Sequence, residues 1–405
     1  MTQWRSRLAP FLLMSSAAVT LMCQAEAESL PQTPEAAARL EASYALPLTP
    51  FFDAKPDPKL KPGTLIRAEA FDGYDVPSGS HATRILYTSR SSADQPTVAS
   101  GVIITPAGTP PAGGWPMVVW AHGTTGVARV CAPTLSKPAG YNVVPFLKEG
   151  FAVLAPDYSG LGAGTEHEYL SKIANANDTV NAVAAARALK LKTTANWVVV
   201  GHSQGGLTAW GVAEKMAQLK DPTYLGSVSI AGAVDMENLV EHLDATPGEM
   251  FYVVYVAYGI KAQYPYFDIN SMLTPVAAEA FDSMTRKTCW AYGNTMFVKA
   301  KPHTLLRPNW KENSTVKAYL KGDQTGIKPI AGPMFVIAGR QDDAVPPANV
   351  APRVEALCRL PGAVVEYKVY EGDHDTELNT SLADQLSWIR DRFAGKQAPS
   401  SCHSS

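Results

Sequence analysis

The five residues Gly201-His202-Ser203-Gln204-Gly205 constrain this chain more than any other stretch. They follow an uninterrupted apolar run, Trp197 to Val200, and precede a helix-like pattern. A strand that turns at once into a helix forces its corner residue into a strained conformation, and side chains beside that corner would clash; Gly201 and Gly205 carry no Cβ. Such a turn lifts the serine hydroxyl to the end of a sheet, where a substrate and a base both reach it. A five-residue pattern with three fixed positions also arises by chance, so its weight comes from the strand before it and the helix after it.

The rest of the chain supports that setting. Apolar or β-branched runs recur at residues 83–87, 98–104, 117–120, 151–154, 197–200, 228–230, 334–337 and 364–370, which predicts eight strands. Helical patterns lie between several of them: Asp178 is placed to cap a helix over 180–190, and Leu382, Leu386, Ile389 and Phe393 fall on one helical face. Strands alternating with helices argue for an α/β architecture, a mostly parallel sheet with helices on both faces. The alternation breaks over residues 234–328, too long for an ordinary crossover and without a convincing strand; it reads as an inserted helical cap. Within it, Phe251, Tyr255 and Tyr258 share a helical face. Most of the aromatics in this region are expected to form the cap's own core, and the remainder, with Phe251 and Tyr255 as candidates, to line an acyl pocket beneath it.

The organisation read from the sequence is a signal peptide over 1–27, a Pro-rich lead-in over 28–62, a core over 63–233 and 329–395 that encloses the cap over 234–328, and a tail over 396–405. Arg5 and Arg7 precede an apolar run over 8–22, and Ala25 and Ala27 follow in an A-x-A arrangement, the pattern of a secretory signal cut after Ala27. The run is too short to span a membrane, which takes about 20 residues, and Met22 before Cys23 does not suit lipoprotein processing. The expected location is therefore outside the cytoplasm, secreted or periplasmic. A net charge of −2 gives no electrostatic reason to expect nucleic acid as a partner, and nothing points to an obligate protein partner. Beyond the signal stand Cys131, Cys289, Cys358 and Cys402, an even number that permits two disulfides in any of three pairings. Their spacing fits no metal motif, so no metal is expected.

A serine hydroxyl is a poor nucleophile at neutral pH; it needs an imidazole to take its proton and a carboxylate to hold that imidazole. In sheets of this kind the chain order is Ser, acid, His. Of the eight histidines, only His374 and His403 follow the last strand, and His403 lies in a Ser-rich tail. His374, in the loop "YEGDHDTE", is the candidate base. "GRQDDAVPP" offers Asp342 and Asp343 just past the penultimate strand; Asp342 is preferred because D-x-x-V-P resembles the acid turn of many hydrolases of this fold. An oxyanion hole needs two backbone N–H groups. Gln204 supplies one, and Thr124, in the Gly-rich turn of "VVWAHGTTG", is the candidate for the other.

Together "WAHGTTG", "APDYSGLG", "GHSQGG", "GRQDDAVPP" and "GDHDT" resemble the α/β-hydrolase superfamily and, within it, the secretory lipase family that contains the fungal lipase A-type enzymes. The likeness runs from about Gly63 to Phe393. It implies an inserted helical cap, hydrolysis of carboxylic esters including acylglycerols, no metal or organic cofactor, and the pairings Cys131 with Cys289 and Cys358 with Cys402. The expected substrate is a small-molecule or lipid ester of short to medium chain, with transient contact at a lipid interface. Two other chemistries share the same residues. A peptidase of this fold would need a site for a charged peptide end, which the sequence does not display, and an acyltransferase differs only in excluding water.

Overall fold

The computed structural model describes residues 30–139 and 141–402. The expected signal segment over 1–27 and His403 lie outside the described residues. The chain divides after Leu30, and the fold below belongs to the unit Pro31–Ser405.

Nine strands form a single sheet: β1 (Leu65–Ala70), β2 (His81–Arg90), β3 (Pro96–Thr105), β4 (Trp115–Ala121), β5 (Ala152–Pro156), β6 (Thr193–His202), β7 (Tyr224–Ile230), β8 (Met334–Gly339) and β9 (Val365–Tyr370). Their order is β1-β2-β3-β5-β4-β6-β7-β8-β9. The pairs from β1 to β5 are antiparallel, and those from β5 through β9 are parallel. All eight expected strands are present. The ninth, β1, escaped the sequence reading because none of its residues is fully buried and Arg67, Ala68 and Ala70 are exposed, so no apolar run marks it.

The inner parallel strands, β4 to β8, are buried on both faces, and their period of two divides each between two cores. Val119, Leu154, Val199 and Val336 belong to one, together with Ala176, Val183, Leu207 and Trp210 from the helices Lys172–Ala188 and Gln204–Leu219. Val118, Val153, Val198, Val228 and Ile337 belong to the other, with Leu386, Trp388 and Ile389 from the helix Leu382–Phe393. Asp178 does not cap a helix. Ser171 is the N-cap of Lys172–Ala188, and Asp178 lies mid-helix, buried, accepting hydrogen bonds from Ser89 Oγ and from the Ser159 N–H at 2.7 Å. Burial raises its carboxyl to about 7 against those bonds. A capping-type residue here serves a tertiary contact instead.

Between β7 and β8 the described residues contain helices and no strand: Met236–Ala245, Tyr252–Gln263, Pro275–Glu279, Phe281–Arg286, Trp290–Thr295 and Ser314–Gly322. Disulfides join Cys131 to Cys289 and Cys358 to Cys402. The first ties the loop after β4 to the helical segment, and the second ties the end of the helix Pro347–Cys358 to the C-terminal stretch. No helix among the described residues is long and apolar enough to cross a membrane.

Candidate active site

At the end of β6 the backbone of Ser203 takes φ 56° and ψ −114°, a conformation that costs a non-glycine residue about 1–3 kcal/mol. Two close approaches show why glycines flank it. A Cβ on Gly201 would stand 2.0 Å from Gly205 O, and one on Gly205 would stand 1.8 Å from Ala121 O at the end of β4. The turn is held by the Ser203 N–H donating to Ile230 O at 2.9 Å and by Ser203 O accepting from the Leu207 and Ala233 N–H groups at 3.2 Å.

The carboxyl ends of β8 and β9 supply the other two expected side chains. His374 Nδ1 lies 2.8 Å from Asp342 Oδ2. The second oxygen, Asp342 Oδ1, accepts from the Ala344 and Val345 N–H groups at 2.9 and 2.7 Å, which fixes the carboxylate toward the ring. Asp343 is exposed, and its backbone oxygen accepts from His242 Nε2 at 2.7 Å, so of the two adjacent aspartates only Asp342 meets His374. Burial opposes charge on both members of the pair, yet their mutual attraction prevails: Asp342 is held below the usual carboxylate range, and His374 is raised above the usual imidazole range. Because a carboxylate only accepts, His374 Nδ1 carries the proton of this bond, and Nε2 is left for other chemistry.

Gln204 opens the helix Gln204–Leu219, where first-turn N–H groups have no intrahelical acceptor. Its side chain is anchored, with Nε2 donating to His167 Nε2 at 2.9 Å and to Asn175 Oδ1 at 3.1 Å. Burial lowers His167 to about 3, and a neutral ring is what leaves a nitrogen free to accept. Thr124 sits in the loop after β4, its hydroxyl 2.7 Å from Tyr169 Oη. That loop begins where Gly205 packs against Ala121, so the two expected N–H donors come from abutting segments.

Ser203 and His374 line one cavity with an empty volume of about 280 Å³; no hydrogen bond joins them directly among the described residues. Its walls include Tyr169, Leu170, Leu239, Leu243, Tyr252 and Val345. Phe251 and Tyr255, the aromatics expected there, do not line it. Phe251 stacks behind Tyr252 at 4.1 Å and meets Trp290 edge-on, while Tyr255 Oη donates to Cys289 O at 3.1 Å. Tyr252, the first residue of the helix, reaches the cavity, while Phe251 and Tyr255 are engaged in contacts inside the helical segment. Tyr252 escaped the sequence reading because it stands off the chosen face. Leu239 and Leu243, four apart on the helix Met236–Ala245, do carry a periodic apolar signal.

Neighbouring carboxyls feel the pair, Glu377 and Glu249 among them. Glu377, fully buried, is raised to about 9 by burial and then by the charge of Asp342. Glu249, three residues before Tyr252, is raised to about 7 by burial, with His374 opposing the shift and Asp342 adding to it. No group of three or more His, Cys, Asp or Glu among the described residues is arranged to hold a metal ion.

The arrangement can activate a hydroxyl beside a largely apolar cavity, and the known proteins that resemble the chain are lipases and esterases. Lipase 5 of Candida albicans is 24% identical over 277 residues, 65% of this chain and 59% of that protein; the chain thus spans less than two thirds of its length. The secreted triacylglycerol lipase LIP4 of Malassezia globosa is 24% identical over 352 residues, 80% of this chain and 75% of that one. Among solved structures, Candida antarctica lipase A superposes with a TM-score of 0.72 at 16% identity, covering 88% of this chain and 89% of its own. The rice cell wall degrading esterase LipA of Xanthomonas oryzae gives 0.64 at 17% identity, covering 82% of this chain and 97% of its own. These two likenesses establish the α/β-hydrolase fold. The secretory lipase model matches residues 136–401, well over half of the sequence and inclusive of Ser203, Asp342 and His374, and the chain belongs to the secretory lipase family.

Proposed function

We propose that this chain is an exported carboxylic ester hydrolase, a lipase or esterase, that works through an acyl-enzyme on Ser203. The observation that carries the reading is the His374–Asp342 pair at 2.8 Å, whose histidine lines one cavity with a serine held at a strained strand-to-helix corner. In the first stage Ser203 Oγ attacks the ester carbonyl while His374 Nε2 takes its proton. The backbone N–H groups of Gln204 and Thr124 hold the developing oxyanion. His374 then returns the proton to the leaving alcohol. In the second stage water repeats the attack on the acyl-enzyme, with His374 again as base. Asp342 keeps the ring in the required tautomer and stabilises its charged form.

The segment 234–328 acts as the cap over this site, inserted between the core segments 63–233 and 329–395. The substrates are esters of short to medium acyl chain, with triacylglycerols cleaved more slowly or at an interface. The apolar side chains of Leu170, Leu239, Leu243 and Val345 around Ser203 and His374 support this. Export rests on the leader-like residues 1–27 and on relatives described as secreted.

The decisive experiment compares rates on p-nitrophenyl esters of increasing chain length with rates on tributyrin and an aminoacyl anilide. The expected maximum lies among the short to medium esters. Efficient anilide cleavage with negligible esterase activity would overturn the reading in favour of a peptidase.

A further inference from the structure

Beside the proposed triad stands a polar chain that the mechanism above does not use. His202 Nε2 lies 2.8 Å from His374 O, and His202 Nδ1 lies 3.2 Å from Tyr141 Oη. Tyr141 Oη in turn accepts from the Gly123 N–H at 2.6 Å. The donors assign themselves. A carbonyl oxygen only accepts, so His202 Nε2 carries a proton; a neutral ring then has Nδ1 as acceptor, and the tyrosine hydroxyl must donate to it. That leaves the phenolic oxygen free to accept from Gly123, whose N–H can only donate. Burial, and after it the charge of His374, lowers His202 to about 3, which keeps the ring neutral. The path runs in one direction without a conflict: Gly123 N–H to Tyr141, Tyr141 O–H to His202, His202 N–H to His374 C=O.

Its ends explain its value. Gly123 immediately precedes Thr124, the expected donor to the oxyanion, and His374 is the expected base. These residues are far apart in sequence, on loops after β4 and β9, and hydrogen bonds span between them through one residue of the elbow itself. The site is shaped for the hydroxyl: a Cβ on Gly123 would meet Tyr141 Oη at 2.3 Å and His202 Nδ1 at 3.2 Å. Tyr141 is braced edge-on by Trp120, with ring centroids 5.7 Å apart, and itself sits at φ 24°, outside the usual range for a side-chain-bearing residue.

We propose that Tyr141 and His202 are positioning residues, a hydrogen-bonded brace that sets the oxyanion loop at Gly123–Thr124 against the base loop at His374. The proposal rests on the ester-hydrolase reading. Neither residue touches substrate; each acts on where the N–H donor and the base stand, and a displacement of about 1 Å in such groups costs about 100-fold in rate.

The test measures kcat and KM on p-nitrophenyl butyrate, the rate at which a phosphonate labels Ser203, and the melting temperature. Tyr141→Phe keeps the ring and removes the hydroxyl, breaking both of its bonds. It is expected to lower kcat and the labelling rate together by about 10- to 100-fold, with KM within about threefold. His202→Leu should match it. His202→Gln, whose amide offers one acceptor and one donor, should recover most of that loss. Because the brace is a single chain, Tyr141→Phe combined with His202→Leu should be little worse than either alone. A Tyr141→Phe protein that melts lower while keeping kcat and labelling within about twofold would reduce both residues to packing and overturn the proposal, as would losses in the two variants that simply multiply. If the unaltered protein neither hydrolyses the ester nor takes the label, the ester-hydrolase reading fails instead, so the two failures are told apart.

Discussion

The serine elbow and the aromatic helix Tyr252–Gln263 border one cavity, and different physics holds each of them. At the elbow, backbone sterics decide everything within a few residues: the strained φ of Ser203, the glycine contacts at 2.0 and 1.8 Å, and the fixed start of the following helix. On the aromatic helix no backbone feature decides which side chain meets the cavity. The rotation of the helix does, and that is set by packing against Trp290 and by the Tyr255 bond to Cys289, itself tied to Cys131. The elbow should therefore tolerate almost no change without loss of chemistry, whereas the helix should trade specificity against stability.

Ser203→Ala tests the rigid side of this contrast at its extreme. It should lower kcat by about 10⁶-fold, down to the rate that the oxyanion donors and binding sustain alone, with an unchanged far-ultraviolet circular dichroism spectrum. Turnover near that of the unaltered protein would remove Ser203 from the chemistry.

Asp342 and Asp343 carry the comparison one step outward, two identical side chains of which only one meets His374. Asp342→Asn should cost about 10⁴-fold in kcat by favouring the wrong tautomer, while Asp343→Asn should stay within about twofold. A larger loss at Asp343 would reverse the assignment. The pH profile sharpens the point. The Asp342 charge, outweighing burial, raises His374 to about 9, so the base form grows as pH rises and kcat/KM should climb through the neutral range toward that value. In Asp342→Asn the attraction is gone, and the limb of the residual activity should move to lower pH. An unmoved limb would mean that another group titrates there.

The adaptable side is probed by neighbours. Tyr252→Ala should open the cavity and shift the chain-length optimum upward by several-fold changes in relative rate. Phe251→Ala should leave the chain-length profile in place and destabilise by about 3–5 kcal/mol, the cost of a truncated buried aromatic. The reverse outcome would place Phe251, not Tyr252, at the cavity wall.

The smallest effect on turnover is expected from Glu377, which acts on stability. Burial, then Asp342, raises it from 4.5 to about 9, so the folded state holds a proton there that the unfolded chain has released. The folded state is then penalised progressively as pH rises from about 4.5 to about 9. His374 acts in the same sense: the stability it contributes is present below its unfolded value and is lost as pH rises through about 9. The melting temperature should thus fall between about pH 6 and about pH 9, and fall less steeply in Glu377→Gln. An equal slope in both proteins would show that Glu377 is already ionised.

Much of this molecule was legible because its signals are local. The buried parallel strands announce themselves as apolar runs, since both of their faces need apolar side chains, and the elbow announces itself through glycines that no other residue can replace. Chain order and the Ser-rich tail then narrowed the histidines to His374, and a two-residue window contained the aspartate that meets it. Within that window a likeness to D-x-x-V-P turns favoured Asp342, but the physical reason lies in the tertiary structure, where the Ala344 and Val345 N–H groups fix its carboxylate toward His374. The tertiary structure alone revealed β1, whose partly exposed face carries no apolar run, and moved Asp178 from a helix cap to a buried contact with Ser89 and Ser159. It alone put Tyr252 at the cavity in place of Phe251 and Tyr255, and brought Gly123, Tyr141, His202 and His374 into one line of hydrogen bonds. Backbone strain and strand burial act over a few residues and leave their mark in the sequence. Side-chain direction and long-range polar pairing depend on how whole elements pack, and no short stretch encodes that.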